Sequence, residues 1–302
     1  MNIVLTGSLG YIGRPLTQKL VKKGHSVTVI SSNPEREKEI ESLGAKPAIG
    51  NMDDVDFLTT SFSGSDAVYC MIALEINFTD PENNASKLTE KAKIFANNYL
   101  EAIIKSGVKR VVYLSSIGAD MKQGNGLIAI HHNAENILKK LPSDIGISFI
   151  RPAGFYKGLF NYIPGIKHYG TISANYGGDD IVLWVSNLDI ADTIVEELES
   201  DTTDRKVLYV ASEEIKCNEL AGILGTAIGK PDLKWELISD EQQLNALISF
   251  GMQKSFAQNF TEMNASIHSG KFYENYYQNK PTLGQAKMKE FAVEFAEAYN
   301  KQ

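Results

Sequence analysis

Three glycines near the start of the sequence have the spacing of a site that binds nucleotide phosphates. Gly7, Gly10 and Gly13 follow an apolar run at residues 3–5, and a helical pattern begins directly after them. The run is short enough to be a strand that is buried on both faces. Glycine lets backbone N–H groups approach a pyrophosphate, and the N-terminus of the following helix attracts the anion. The stretch therefore predicts a dinucleotide site rather than a turn that contains glycine by chance.

The strand and helix around this turn begin an alternation that fills the first half of the chain. Apolar runs suited to strands lie, with helical patterns between them, at residues 27–30, 45–49, 66–72, 110–115 and 147–150. This alternation predicts an α/β fold, a doubly wound parallel sheet of the Rossmann type in the order 3-2-1-4-5-6. Pro47 suits the edge strand of that order. We expect residues 1–150 to form an NAD(P)-binding domain, and residues 151–302 to form a smaller α/β lobe that is partly interleaved with it.

The residues after the second strand bear on the choice of cofactor. An acidic residue at this strand end commonly binds the ribose 2′-hydroxyl of NAD, but none occurs here before Glu35. Ser31, Ser32 and Arg36 could accept a 2′-phosphate instead, and Arg14 is a second cation within reach. The alternative is that Arg36 is a solvated helix residue. The sequence favours NADP, with NAD left open.

Composition excludes several other classes of protein. The 302 residues carry a net charge of −7 without a basic cluster, so nucleic-acid binding is not expected. No apolar run approaches the roughly 20 residues of a membrane helix. The chain begins with a strand rather than a signal peptide, and its two cysteines lie in apolar surroundings, so we expect a cytoplasmic protein without disulfides. No cluster of metal-ligating residues is seen.

Several short motifs together resemble one known family. They are Thr6-Gly-x-x-Gly-x-x-Gly13, Ser31-Ser-Asn-Pro34, Ser115-Ser116, the stretch from His131 to Glu135, and Arg151-Pro152. This combination resembles the NmrA-like family, in the atypical branch of the short-chain dehydrogenase/reductase superfamily. The turn also resembles that of isoflavone-reductase-like relatives. The NmrA-like family includes both NAD(P)H-quinone reductases and NADP sensors without catalytic activity, so the resemblance does not decide between them.

The resemblance completes the predicted cofactor site. It places Asn51 beside the adenine, and the end of the fourth strand, at Met71, is expected near the ribose and nicotinamide. The predicted cofactor contacts are Gly7, Leu9, Gly10, Tyr11, Ile12, Gly13, Arg14, Ser31, Ser32, Arg36, Asn51, Met71 and Ser115.

The resemblance also identifies candidate catalytic residues and a missing one. Extended members of the superfamily use a Tyr-x-x-x-Lys pair, in which the tyrosine is the general acid or base. Aligning the helical stretch on its glutamate places Leu127 at the tyrosine position and His131 at the lysine position, so the phenolic acid is absent. Ser116 corresponds to a serine that helps to hold the substrate carbonyl. His131 could contact ribose or carry a proton, since imidazole titrates near neutral pH; the alternative is helix packing.

Aromatic residues after the sixth strand suggest the substrate. Phe155 and Tyr156 could form walls that stack on a flat, uncharged molecule such as a quinone. The first interpretation is an NADPH-dependent reductase of a quinone or enone-type small molecule. Two alternatives stay open: a non-catalytic NADP(H) redox sensor that acts through a protein partner, and a sugar-nucleotide epimerase or dehydratase. A homodimer is also left open.

Overall fold

A computed structural model describes residues 1–301, and a parallel sheet of seven strands forms its centre. The strands of the molecule are β1 (Asn2–Leu5), β2 (Ser26–Ser31), β3 (Lys46–Ile49), β4 (Ala67–Met71), β5 (Arg110–Leu114), β6 (Gly146–Pro152), β7 (Gly154–Phe155), β8 (Ile172–Ala174), β9 (Ile181–Val185), β10 (Arg205–Val210), β11 (Glu213–Lys216) and β12 (Trp235–Leu237). The helices are α1 (Gly13–Lys22), α2 (Glu37–Ser42), α3 (Val55–Phe62), α4 (Ala85–Ser106), α5 (Ala129–Leu138), α6 (Ile163–Tyr169), α7 (Asn187–Leu198), α8 (Cys217–Ala227), α9 (Asp240–Ser249), α10 (Lys254–His268), α11 (Glu274–Gln278) and α12 (Met288–Lys301).

The order of the central sheet is β10-β6-β5-β4-β1-β2-β3. The predicted doubly wound Rossmann sheet is therefore confirmed, with β3 and its Pro47 at one edge. The seventh strand, β10, extends the sheet beyond β6 and pairs with it in parallel. This strand comes from the second half of the chain, so residues after 150 complete the central sheet as well as forming their own lobe.

Helices cover both faces of this sheet because its strands are apolar on both sides. On one face, Leu16 of α1 and Ile194 of α7 pack in a single buried cluster with Tyr69 of β4. On the other face, the neighbouring strand residue Val68 packs with Tyr99 of α4. Successive side chains of the strand thus pack against the helices on opposite faces of the sheet, as the β-pleat requires.

The smaller lobe has its own strands and core. β11, β9 and β7 form one sheet, β12 pairs with β8, and the buried residues around Trp235 and Phe295 belong to a separate cluster. Helix α10 reaches back towards α4 and the 3-10 turn at Gly126–Ile128. No helix among residues 1–301 is both long and apolar enough to cross a membrane.

The last helix begins later than its sequence pattern indicates. The pattern starts at Leu283, whereas α12 starts at Met288. The reason is a long-range contact: the backbone N–H groups of Gln285 and Ala286 donate to the buried carboxylate of Asp189, each at 3.2 Å. These bonds hold the backbone at Gln285 and Ala286 outside the helix, although its own sequence would allow one.

Candidate functional site

The glycine turn between β1 and α1 has a backbone that requires two of its glycines. Gly7 has a φ of +85°, and a Cβ there would overlap the side chain of Met71 at the end of β4. A Cβ on Gly13 would overlap the carbonyl oxygen of Ser8, which itself has a φ of +56°. These two glycines therefore serve the packing of strand, turn and helix.

Gly10 has a different function, because the space beside it is open. A Cβ there would meet nothing closer than the carbonyl oxygen of Gly7, at 3.8 Å. Within residues 1–301, no carbonyl accepts the backbone N–H groups of Tyr11, Ile12 or Gly13. A concave backbone with free donors at a helix N-terminus fits the pyrophosphate of a dinucleotide.

The side chains of this turn divide between core and surface. Leu9 and Ile12 are buried in the main core, so they could contact a cofactor only through their backbone. Tyr11 is exposed, and the ammonium of Lys157 lies 4.6 Å from its ring centroid. The backbone carbonyl of Tyr11 accepts a hydrogen bond of 2.8 Å from Asn187, which ties the turn to the start of α7.

The end of β2 lies directly beside the turn. The hydroxyl of Ser8 donates to that of Ser31 at 3.0 Å, and Ser31 is buried while Ser32 is exposed. Of the two, Ser32 is the residue whose hydroxyl is free to meet a ligand from solvent. Ser31 instead helps to fix the turn against the strand.

The two arginines proposed for a 2′-phosphate come together in the structure. Arg14 of α1 and Arg36, in the 3-10 turn after β2, each form an ion pair with Glu39 of α2. Arg36 is thus engaged rather than merely solvated. Glu39 was not predicted as a site residue; its i,i+3 spacing from Arg36 is a sequence signal for that pair, but nothing local indicates its contact with Arg14.

Met71 and Asn51 mark the other predicted cofactor contacts near β4 and β3. The backbone N–H of Met71 donates to the hydroxyl of Thr6 at 2.9 Å, and its carbonyl accepts from Tyr99 at 2.7 Å. Its side chain packs over Gly7. Asn51 is exposed, and its side-chain oxygen accepts the backbone N–H of Asp53 at 3.2 Å. Met71 is the last residue of β4, and Asn51 lies two residues after β3. Ligands in folds of this kind bind at these carboxyl ends of parallel strands.

Ser115, the first of the two serines after β5, has an inward-facing side chain. It is buried, and its hydroxyl donates to Glu135 of α5 at 2.6 Å. The side chain therefore faces α5, and because the backbone N–H donates to the carbonyl of Ile150 at 2.7 Å, a cofactor could be contacted only through the backbone carbonyl. The next residue, Ser116, is half-buried and donates to the neighbouring carbonyl of Ile117 at 3.0 Å. A hydroxyl with only this local bond can turn towards a substrate.

Glu135 is the centre of a buried polar network at the ends of β5 and β6. Arg151 donates to both of its carboxylate oxygens, at 2.8 and 2.7 Å, and donates a further bond of 2.9 Å to the hydroxyl of Tyr209. Burial opposes ionisation of this carboxyl, but the hydrogen bonds and charge of Arg151 outweigh it and hold the pKa of Glu135 below its ordinary value. Arg151 of the Arg-Pro motif is therefore a structural residue that fixes α5 against the sheet.

His131 requires a correction. Burial lowers its pKa from the ordinary 6.5 to about 4, against an opposing effect of the Glu135 charge. The imidazole is thus neutral at pH 7 and does not titrate near neutrality as the sequence suggested. Its Nδ1 lies 3.4 Å from the hydroxyl of Tyr113, a buried residue of β5. His131 can take part in hydrogen bonding but lacks the cationic charge of the lysine found at this position in relatives.

Leu127, which the sequence alignment placed at the position of the superfamily's catalytic tyrosine, has apolar surroundings. It packs against a cluster that includes Phe256 of α10 and Phe78 of the loop after β4. The rings of Phe78 and Phe260 meet edge to face with centroids 5.4 Å apart. The leucine side chain itself has no proton to give, so this position contributes packing.

The two aromatic residues predicted to line the substrate pocket have different environments. Phe155 is half-buried at the edge of the main core. Tyr156 is buried in the core of the smaller lobe, where it stacks on Phe291 and donates to the carbonyl of Ala286 at 3.2 Å. Tyr156 is only 4% exposed, whereas Phe155 keeps a larger accessible surface.

A family model and a curated reductase both match this chain. A model of the NAD(P)H-binding family matches residues 7–201, a range that contains the glycine turn, both arginines and His131. The (4-alkanoyl-5-oxo-2,5-dihydrofuran-3-yl)methyl phosphate reductase of Streptomyces griseus is 25% identical to this chain over 248 residues, which cover 82% of this chain and 80% of the relative.

Comparison with solved structures gives the same fold over nearly the whole chain. An NADPH-dependent quinone oxidoreductase from Escherichia coli, complexed with NADPH, superimposes with a TM-score of 0.80 at 18% identity, covering 97% of this chain and 99% of that one. The triphenylmethane reductase of Citrobacter sp., complexed with NADP(H), gives a TM-score of 0.74 at 22% identity, with coverage of 97% and 99%. At these identities the likeness establishes the fold.

The family match covers well over half of the chain and includes the open backbone around Gly10. It identifies a nicotinamide dinucleotide as the cofactor, and it agrees with the reductase found among the curated relatives. The chain belongs to the NAD(P)H-binding family, and the predicted resemblance to the NmrA-like group of atypical short-chain dehydrogenases/reductases is confirmed.

Proposed function

We propose that this NAD(P)H-binding protein is an NADPH-dependent reductase of a quinone or enone-type small molecule. The observation that carries the proposal is a cofactor cradle combined with a catalytic position that supplies no acid. Leu127 packs in an apolar cluster, and His131 is neutral at pH 7 with a pKa of about 4. A reductase built in this way suits an acceptor that does not need a strong enzymic acid.

The chain's own residues would hold the cofactor along the carboxyl edge of the sheet. The backbone N–H groups at Tyr11, Ile12 and Gly13 have no carbonyl partner and would donate to the pyrophosphate, and the open side of Gly10 would admit it. Ser32 and Arg36 lie after β2, where the ribose 2′ position is expected, and Arg14 of α1 meets Arg36 at Glu39. Their positive charge supports a preference for NADPH over NADH. When bound, the cofactor supplies a hydride.

The chemistry left to the protein is positioning. A quinone or conjugated enone gains one hydride and one proton, and conjugation stabilises the oxyanion that forms before the proton arrives, so water can supply it. Ser116 can donate a hydrogen bond to the acceptor's carbonyl oxygen, and the half-buried Phe155 can offer a ring face to the acceptor. Holding the two reacting rings at a fixed distance and orientation accounts for most of the expected rate effect.

The test follows NADPH absorbance with a benzoquinone, a conjugated enone and a saturated ketone of similar size. We expect oxidation with the quinone or enone and none with the ketone, because only the ketone requires an acid of the tyrosine type. Ser116→Ala should lower kcat/KM by about tenfold, the value of one hydrogen bond to a developing charge. Ser63→Ala, at an exposed serine after α3, is the matched control and should not change the rate.

Two results would change the proposal. If Ser116→Ala leaves quinone turnover intact, the role given to that hydroxyl is rejected. If NADPH binds but no acceptor oxidises it, the evidence moves to the other class of function, a redox sensor that responds to the cofactor without turning it over.

A further inference from the structure

The Arg14–Glu39–Arg36 cluster has a geometry that bears on cofactor choice. Arg14 pairs with one carboxylate oxygen of Glu39 and Arg36 pairs with the other. Among the ion pairs of residues 1–301, Glu39 is the one acid that engages two arginines; the other acids with two partners pair with at least one lysine or histidine. Two converging guanidinium groups are a typical phosphate site, and here a carboxylate occupies the position between them.

The cluster is open to solvent, so its pairing can change. The side chains of Arg14 and Arg36 are 41% and 44% exposed, and that of Glu39 is 33% exposed. Exposed pairs of this kind contribute little to stability, about 0–1 kcal/mol. A phosphate group can therefore take the place of the carboxylate at the arginines without a large cost to the fold.

The elements of the cluster place it where the two nicotinamide cofactors differ. Arg14 is the second residue of α1, directly after the glycine turn, and Arg36 follows the exposed Ser32 at the end of β2. NADPH differs from NADH by the 2′-phosphate, which in this fold lies beyond the end of the second strand. The carboxylate of Glu39 lowers the cluster's charge from +2 to +1 at that point.

We propose that Glu39 sets the cofactor preference by competing with the 2′-phosphate for Arg14 and Arg36. With a ribose 2′-hydroxyl, the carboxylate keeps both arginines; with a 2′-phosphate, it must give up at least part of that pairing. Glu39 thus weakens NADPH binding and leaves NADH binding almost unaffected. This inference rests on the proposed cofactor site and adds a residue that tunes its selectivity.

The experiment measures dissociation constants for NADPH and NADH by calorimetry in the wild-type chain, Glu39→Gln and Glu37→Gln. Removing one negative charge next to a phosphate should tighten NADPH binding about three- to tenfold, with NADH within about twofold. Glu37→Gln removes the same charge from the same helix, where Glu37 is exposed and forms no ion pair within the described chain, and should change neither constant by more than about twofold.

A double variant and a salt series test whether competition for the arginines causes the tighter NADPH binding. When Glu39→Gln is added to Arg36→Gln, the increase in NADPH affinity should be less than half of that in the single Glu39→Gln variant. One of the two cations for which Glu39 and the phosphate compete has then already been removed. The gain in the single variant should also shrink as salt is raised. Weaker or unchanged NADPH binding in Glu39→Gln would overturn the inference, as would an equal gain in Glu37→Gln.

The proposed function has its own, distinct failure. If the wild-type chain binds neither cofactor, the glycine-turn site itself is rejected. If it binds NADH as tightly as NADPH, the preference for NADPH is rejected, while the change caused by Glu39→Gln still tests the competition. A thermal unfolding curve for each variant confirms that any loss of binding comes from a folded protein.

Discussion

Two carboxylates near opposite ends of the same sheet edge are each held by arginine, but they differ in exposure. At the β5–β6 end, Glu135 and Arg151 have side chains 1% and 5% exposed. At the β1–β2 end, the side chain of Glu39 is 33% exposed between its two arginines. A buried pair cannot lose one partner without leaving a charge away from water, whereas an exposed pair can exchange its partner for a ligand or solvent. The buried pair is therefore part of the scaffold, and the exposed cluster is suited to binding.

The same contrast extends to the neighbouring groups. Around Glu135, the hydroxyl of Ser115 and the imidazole of His131 are committed to internal contacts. Around the glycine turn, Tyr11 and Ser32 face solvent, and the space beside Gly10 is open. We therefore expect the β5–β6 end to keep a fixed geometry and the β1–β2 end to receive the cofactor.

The largest effect is expected from breaking the buried pair. Arg151→Met removes the partner of Glu135 with little change in volume and should lower the free energy of unfolding by about 3–5 kcal/mol. Urea unfolding measures this change. Lys139→Gln is the control, since Lys139 contacts the same carboxylate from solvent with a side chain 48% exposed; it should cost less than about 1 kcal/mol. Similar costs for the two variants would contradict the assignment of the buried pair to the scaffold.

His131 is expected to make a smaller, pH-dependent contribution to the free energy of unfolding. Its folded-state pKa of about 4 lies below the ordinary 6.5, so the folded protein binds fewer protons than the unfolded chain between these values. The stability from the neutral imidazole is fully present above pH 6.5 and is lost as the pH falls towards 4, by up to about 3 kcal/mol. Urea unfolding at pH 7 and pH 4.5 should therefore show a larger loss in the wild type than in His131→Gln. Equal losses would mean that the imidazole is not protected from protonation by burial.

The sequence predicts the open end of the edge much better than the buried end. The glycine turn, β1 and α1 are contiguous, so their geometry follows from local residue types and appears in the structure as expected. The strand order follows from the alternation of elements and is confirmed. Local patterns give no information on which distant strand pairs with the edge strand of a sheet. The pairing of β10 with β6 was therefore not predicted.

The side-chain environments that the sequence did not indicate have a common physical cause. The direction of the Ser115 hydroxyl, the neutral state of His131 and the enclosure of Tyr156 all depend on groups brought together by the tertiary fold. Glu135 contacts Ser115 from 20 residues further along the chain. No spacing in the sequence indicates that a serine faces a helix or that a histidine is desolvated. Glu39 was missed for the same reason, since its contact with Arg14 joins two separate helices.

Gly10→Ala is expected to weaken NADPH binding without destabilising the fold. The space beside Gly10 can accept a methyl group in the free protein, so Gly10→Ala should keep its unfolding free energy within about 1 kcal/mol of the wild type. The same methyl group would lie where a pyrophosphate approaches, and NADPH affinity should fall by about tenfold or more, equivalent to about 1.4 kcal/mol. Gly222→Ala, at a helical glycine of α8 with no atom near its Cβ position, should bind NADPH normally. Unchanged binding in Gly10→Ala would place the cofactor elsewhere.

The smallest effect on stability is expected from the exposed cluster, and it is the closest test of the comparison. Arg36→Gln leaves Glu39 with Arg14 and with water, so no charge is left buried and the unfolding free energy should change by less than about 0.5 kcal/mol. The same variant should weaken NADPH binding about tenfold and NADH binding by less than about twofold, because only the 2′-phosphate loses a cation. Lys109→Gln breaks another exposed pair, with Asp144 at 2.5 Å, and should alter neither stability nor affinity beyond these limits. If Arg36→Gln instead costs more than about 1 kcal/mol of stability and affects both cofactors alike, the exposed cluster belongs to the scaffold as the buried pair does, and exposure does not separate the two ends of the sheet edge.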